Sequence, residues 1–372
     1  ATFDPDPRVY RRFGVEPPPA AEPAPEKRAL LERMLTDAKR RGWSVWIFGA
    51  SYGGGPGGTG HIFADARSQA AFAARMVDTL EHYPMVDGAI MDGPEWGYEI
   101  APHHMNHRSY IFNDLPESVA LKCAELGYDY TALVAAKDRL LERLHHLDGA
   151  RVGLHAPGGL LGAFHLLGGD PDLMAWLKFR VESLTAFFRG VRESVDAEMT
   201  RRVGLGLGPR SAAFAPLCGY DMAELARFLD ILLPKHYFWQ RGFDGMVGTV
   251  YRYVETLVDW NPGLTDAQAL AIVKALFGLA LPGMQSRSDL ESALTPEFFQ
   301  QVVSQETARA LAVVDDPRRI VPWVDAGRAP HDGDPISARD LRQLLEAARA
   351  ASLQRFLYHH EGNLTAGEWA VM

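Results

Sequence analysis

The chain has 372 residues, of which 47% are hydrophobic and 23% charged, and these proportions are typical of a folded globular protein. Its formal net charge is −9 and it has no basic tract, which argues against nucleic acid as the main partner. No stretch approaches the roughly 18 uncharged apolar residues of a membrane span. Cys123 and Cys218 match neither a metal-binding spacing nor a disulfide framework, so we expect two free thiols.

Short apolar runs, the expected strands, alternate along the chain with segments of helical periodicity. The predicted strands lie near residues 1–3, 43–49, 86–92, 151–156, 202–208, 229–235, 319–324 and 354–359. The predicted helices lie near 26–41, 64–83, 117–147 with a break at Gly127, 171–200, 221–229, 245–258, 265–280, 296–314 and 337–351.

Eight strands alternating with helices predict a (β/α)₈ TIM barrel, and a doubly wound open sheet is the alternative with the same rhythm. No linker stands out, so we predict a single domain over residues 1–372 with long βα loops. We expect both ends to be trimmed from a longer chain. The compartment and the oligomeric state stay open, with a lean toward the cytoplasm.

The glycine-rich run at 51–60 follows the second predicted strand. It lacks the Gly-Lys-Ser/Thr of a Walker loop and the compactness of a dinucleotide fingerprint. We therefore predict a mobile rim loop, rather than a phosphate-binding loop, and no cofactor.

The most informative stretch runs from Val86 to Glu99, where an apolar strand ends in Asp92-Gly-Pro-Glu95-Trp96. In α/β architectures the carboxyl ends of parallel strands form the rim on which sites are built. Two carboxylates and an aromatic ring suit a glycoside, because the acids act on the glycosidic bond and the ring stacks on the sugar. A structural alternative is that Asp92 caps the loop and Trp96 packs beneath it.

Other chemically capable side chains follow the remaining predicted strands. They are Tyr52, His155, Arg210, Lys235, His236, Tyr237, Trp239, Asp325, Arg328, His359, His360 and Glu361. We predict that His155, Arg210, Lys235, Tyr237, Trp239 and His360 bind substrate together with Trp96. Arg210 and Lys235 would neutralise a carboxylate or bind sugar hydroxyls, although either could be an ordinary ion-pair partner. Trp96 and Trp239 are the predicted stacking rings, whereas Trp43 and Trp46 are expected in the core.

A glycosidase needs two carboxyl groups, one as acid and one as nucleophile or base. Asp92 is the first candidate, because it is the last residue of the most apolar predicted strand. Glu361 and Glu95 compete as its partner. Glu368 is predicted to be structural, since Thr365 and Glu368 have the spacing of a capping box.

His103 and His107 would share one face of a helix at the spacing of a zinc pair. The metalloprotease pattern is absent, because no glutamate lies between them, and the surrounding residues indicate an irregular loop. We assign no metal ligand, and a metal-dependent hydrolase built on this loop remains an alternative.

Three motifs carry a family resemblance: Asp-Gly-Pro-Glu-Trp at 92–96, Pro-Lys-His-Tyr-Phe-Trp at 234–239 and Tyr-His-His-Glu-Gly-Asn-Leu-Thr at 358–365. With them the chain resembles a glycoside-hydrolase-type TIM barrel, and more narrowly the uncharacterised glycosyl-hydrolase-like barrel families. The resemblance implies a small-molecule or oligosaccharide substrate and two catalytic acids. The Asn-Glu pair that the largest glycosidase clan has after its fourth strand is absent. We therefore predict a glycoside hydrolase or transglycosylase, with a non-catalytic carbohydrate-binding barrel as the alternative.

Overall fold

The computed structural model describes residues 3–19, 24–51, 61–104, 109–166, 168–239, 244–325, 333–359 and 364–372. Its strands are β1 (Trp46–Ser51), β2 (Gly88–Asp92), β3 (Gly204–Leu207), β4 (Ile231–Leu232), β5 (Trp323–Asp325) and β6 (Leu357–His359). They correspond to six of the eight predicted strands. Residues 1–2 lie outside the described part, and Phe3 forms a bend rather than a strand.

The helices alternate with the strands over most of the chain. They are α1 (Pro7–Arg12), α2 (Pro25–Arg40), α3 (Ala66–His82), α4 (Glu117–Leu126), α5 (Tyr130–Leu144), α6 (Gly149–His155), α7 (Gly159–Leu166), α8 (Pro171–Glu198), α9 (Met222–Leu225), α10 (Met246–Trp260), α11 (Asp266–Phe277), α12 (Arg287–Leu290), α13 (Pro296–Phe298), a π-helical turn (Phe299–Val303), α14 (Ser304–Leu311), α15 (Ala338–Ala350) and α16 (Ala366–Trp369). None of the described helices is long and apolar enough to cross a membrane.

Several helix boundaries are confirmed by their capping residues. Gly127 ends α4 in the left-handed conformation at φ 78°, which places the predicted break between α4 and α5. Thr365 and Glu368 form the predicted capping box at the start of α16. Cys123 and Cys218 are free thiols, as predicted, and both are buried.

The prediction of a fourth strand at 151–156 is wrong, because this segment lies in α6 and the turn that follows it. The Asp148 side chain accepts a hydrogen bond from the amide of Arg151 and begins that helix. The alternation of Val152 and Leu154 is compatible with either structure, and α6 buries Val152 while leaving Leu154 exposed. The stretch after it, which contains several glycines, forms α7.

The strands pair in parallel and in sequential order. β1 to β4 form one sheet, β5 pairs with β6, and parallel bridges join Leu232 to Ile320 and Lys235 to Trp323. The fold is therefore α/β with a parallel sheet. Eight strands and a closed barrel are not confirmed, since within the described ranges no ladder joins β6 to β1.

The two faces of the sheet differ in composition. Ala89, Met91, Leu205 and Leu207 are fully buried on the face that carries α3. The other face carries Gly88, Gly204, Gly206 and Gly208, with aromatic rings over three of them. A Cβ on Gly88 would lie 2.6 Å from the Trp46 ring, and one on Gly208 would lie 2.6 Å from the Trp323 ring.

A ring contact shows that the sheet curls toward this glycine-bearing face. Phe48 of β1 stacks on Trp323 of β5, with centroids 5.1 Å apart and an interplanar angle of 9°. Five neighbouring strands of a flat sheet would place the first and last about 19 Å apart. The curvature therefore brings these two strands to opposite sides of one concave mouth.

Candidate active site

The candidate site is a cluster of charged side chains at the carboxyl ends of β2, β3 and β4. Asp92 is the last residue of β2, Arg210 follows β3, and Lys235 follows β4 and is bridged to Trp323. Because the strands are parallel, these ends lie on one side of the sheet. The structure thus brings together four of the predicted site residues, because Glu95, three residues after Asp92, is bound by Arg210.

Two cations are each shared between two carboxylates. The Nζ of Lys235 lies 3.4 Å from Oδ1 of Asp92 and 3.3 Å from Oδ2 of Asp244. Arg210 donates from Nε to Oε1 of Glu95 at 2.6 Å and also pairs with Asp244. The planar guanidinium group of Arg210 therefore pairs with two carboxylates, because its N–H groups point in several directions within one plane.

Asp244, which the sequence analysis did not identify, connects the two cations. Its backbone has φ 67°, which non-glycine residues seldom adopt, although aspartate tolerates it better than most. Tyr98 donates a hydrogen bond to its Oδ1 at 3.3 Å, and the Arg210 guanidinium lies 4.8 Å from the Tyr98 ring centroid. No sequence motif marks Asp244, because its partners Tyr98, Arg210 and Lys235 come from three separate segments of the chain.

Asp92 is the most accessible acid of this cluster. Its side chain is 24% exposed, against 5% for Glu95 and 4% for Asp244. Its Oδ1 is buried and lacks a hydrogen bond of good geometry among the described residues, although the Lys235 ammonium is close. A substrate in the mouth would therefore meet Asp92 before the other two carboxylates.

A third buried carboxylate, Glu99, lies next to the cluster. It accepts hydrogen bonds from Arg252 at 3.1 Å and from Thr249 at 3.3 Å, and Nε2 of His104 lies 3.9 Å away. Burial raises the pKa of Glu99 despite the Arg252 charge, and burial lowers the pKa of His104 to about 4. Glu99 and His104 were not predicted as site residues.

The prediction that the rings of Trp96 and Trp239 stack on a sugar is wrong, and Tyr237 is enclosed with them. Trp96 is buried, donates from its indole to the carbonyl of Arg180 at 3.0 Å and packs 4.6 Å from the Phe63 ring. Trp239 is fully buried, and its ring stacks 4.6 Å from that of Tyr237, which is buried as well. None of the three has a ring face open to a sugar, because hydrophobic packing has enclosed them.

An exposed aromatic ring on the sheet face of Asp92 is that of Phe48, which is 44% exposed. Phe48 pairs in register with Ile90, two residues before Asp92, so all three side chains leave the same face of the sheet. Trp323, beneath Phe48, lies 5.6 Å from Nζ of Lys235. We call Phe48 and Trp323 the aromatic shelf.

His155 does not reach the strand ends. It is the last residue of α6, which packs on α7 and α11, and its ring stacks 5.7 Å from His165. The prediction that His155 binds substrate depended on a strand at 151–156, and that segment is helical instead.

Several predicted residues lie outside the described part of the chain. They are Tyr52 with the glycine-rich run, His107, Arg328, His360 and Glu361. Within the described ranges no three His, Cys, Asp or Glu side chains are grouped closely enough to hold a metal ion.

No protein-family model matches this chain, and no curated protein matches it in sequence. Among solved structures it is similar to a chitinase from Rhizomucor miehei, with a TM-score of 0.41 and 11% identity over 100% of this chain and 92% of that one. Similarity at this level does not establish a shared fold.

Proposed function

We propose that the protein is a glycoside hydrolase in which Asp92 is the nucleophile or base. The observation that carries this proposal is the partly exposed Asp92 carboxylate at a strand end, with Lys235 3.4 Å away and the aromatic shelf next to Lys235. A carboxylate beside an apolar ring is what a pyranoside requires, because the acid acts at the anomeric carbon while the ring contacts the C–H face.

In a retaining reaction an Asp92 oxygen would attack the anomeric carbon while an acid protonates the leaving oxygen. The glycosidic bond breaks, and water then hydrolyses the glycosyl ester with the same acid acting as base. In an inverting reaction Asp92 would deprotonate the attacking water. In both cases Lys235 supplies a counter-charge and orients the carboxylate.

The acid is assigned to Glu361 rather than to Glu95. Glu95 is enclosed, and its Oε1 accepts from Arg210 at 2.6 Å, so it is placed to orient Arg210 and not to donate a proton to a leaving group. Glu361 follows the last strand, and its place in the site is part of the proposal.

One observation favours a second candidate, a carbohydrate-binding protein without turnover. Glu95, Asp244 and Glu99 are all buried in ion pairs, which leaves Asp92 as the most exposed of the cluster's carboxylates. With one accessible acid among the described residues of the cluster, the site would bind a sugar without a complete catalytic pair.

A panel of 4-methylumbelliferyl glycosides with the wild type, Asp92→Asn and Glu361→Gln separates the two candidates. Hydrolysis of at least one glycoside that both variants lose supports the hydrolase. Saturation-transfer NMR signals from sugars without any release of the fluorophore would support the binding protein instead.

A further inference from the structure

The surroundings of Asp92 also indicate which sugars fit there, an inference that rests on the proposed carbohydrate site. We infer that the aromatic shelf is a subsite for an uncharged pyranose and that the site discriminates against acidic sugars. The ring face comes from Phe48, and the discrimination comes from the charges of the cluster.

The shelf has the geometry of a stacking platform. One face of the Phe48 ring stacks on Trp323 at an interplanar angle of 9°, and the residue is still 44% exposed. Trp323 holds the ring in place because it is itself buried against Gly208. A fixed apolar ring binds the C–H face of a pyranose with little loss of side-chain entropy on binding.

The cations of the site are already matched by carboxylates of the chain. Arg210 lies between Glu95 and Asp244, and Lys235 lies between Asp244 and Asp92. Among the described side chains of this cluster the three carboxylates exceed the two cations by one formal negative charge, and the most exposed of the three is Asp92. A uronic acid would bring a second carboxylate toward that charge in a partly buried place, where charge repulsion is stronger than in water.

Binding is measured by NMR titration of the wild type with the methyl glycosides of glucose, galactose, mannose and N-acetylglucosamine, and of glucuronic and galacturonic acids. We expect at least one neutral glycoside to bind, and its uronic counterpart to bind at least about fivefold more weakly. Asp92→Asn should reduce that discrimination, because it removes the excess charge.

The shelf is tested with Phe48→Ala, Phe48→Leu and Phe48→Trp, and Trp43→Ala is the matched control. Trp43 is a 60% exposed aromatic residue that precedes β1. We expect Phe48→Ala and Phe48→Leu to weaken binding about tenfold, Phe48→Trp to retain it and Trp43→Ala to have no effect.

Uronic acids that bind as well as their neutral counterparts, no neutral glycoside that binds, or a Phe48→Leu variant with wild-type affinity would each overturn the inference. Binding on the shelf without hydrolysis would reject the proposed hydrolase and leave this inference standing. Hydrolysis of uronides in preference to neutral glycosides would overturn this inference and leave the proposed hydrolase standing.

Discussion

Lys235 and Asp92 form an ion pair, Nζ to Oδ1 at 3.4 Å, between the carboxyl ends of β4 and β2, which lie on either side of β3 in one parallel sheet. Because Lys235 is buried and also bound to Asp244, it can move little, and it fixes the direction of the more exposed Asp92 carboxylate. The predictions below follow from this arrangement and from its surroundings.

Asp92→Asn is expected to preserve the fold and sugar binding and to reduce turnover by at least about a hundredfold, the scale of losing an acid–base group. The amide keeps the size of the side chain but can act neither as nucleophile nor as base. Initial rates on any hydrolysed glycoside measure the effect. Asp37→Asn is the matched control, because Asp37 forms surface ion pairs on α2. Normal turnover by Asp92→Asn would remove Asp92 from the mechanism.

Lys235→Met is expected to lower the free energy of unfolding by about 1.5–3 kcal/mol, because it removes one of the two cations of the buried Asp244 and leaves Arg210 as the other. The double variant Lys235→Met/Asp244→Asn should lose less than the sum of the two single variants, since neutralising Asp244 removes part of that cost. Urea denaturation of the four proteins gives the coupling energy. Strict additivity would show that the pair is not coupled.

Gly204→Ala is expected to destabilise the protein by about 1–3 kcal/mol, because a Cβ there would collide with the Trp46 ring. Combining it with Trp46→Val should recover part of the loss by making room. Gly153→Ala is the control: it lies in α6 with no atom within 4 Å of the added Cβ, and it should stabilise slightly. Thermal unfolding of the variants checks both signs, and equal effects at the two glycines would contradict the packing of Trp46 over the sheet.

Acid is expected to destabilise the protein through His236, which is buried with its Nε2 3.0 Å from Thr307 Oγ1. Burial lowers the pKa of His236 from 6.5 to about 3. The folded state therefore binds fewer protons than the unfolded state, and the stabilising effect present above pH 6.5 is lost as the pH falls from 6.5 toward 3. Between pH 6.5 and 4.5 this group should cost roughly 2–3 kcal/mol.

The measurement is urea denaturation at pH 7.5, 6.5, 5.5 and 4.5 for the wild type and His236→Gln. The variant should show a shallower loss of stability with falling pH. His146→Gln, which changes an exposed histidine, should follow the wild-type curve. An unchanged slope in His236→Gln would mean that His236 is protonated at the same pH in the folded and unfolded states.

Most helices and six strands could be predicted from the sequence, because they depend on local physics. The 3.6-residue periodicity, the left-handed Gly127 and the capping box of Thr365 and Glu368 act within a few residues of chain. Asp92 was also found this way, since an apolar run ending in Asp-Gly-Pro places an acid at a strand end whatever the rest of the fold. The gathering of Arg210 and Lys235 beside it follows from parallel strands alone.

Only the tertiary structure decided which side chains remain accessible. Trp96, Trp239 and Phe48 are all aromatic residues close to strands, yet packing buries the two tryptophans and leaves Phe48 open over Trp323. Burial depends on partners brought from distant parts of the chain, and no local pattern encodes it. The 151–156 segment, whose pattern is compatible with a strand, forms a helix that begins at the Asp148 cap and packs against α7 and α11. Asp244, bound by side chains that follow two other strands, could be recognised only after the chain had folded.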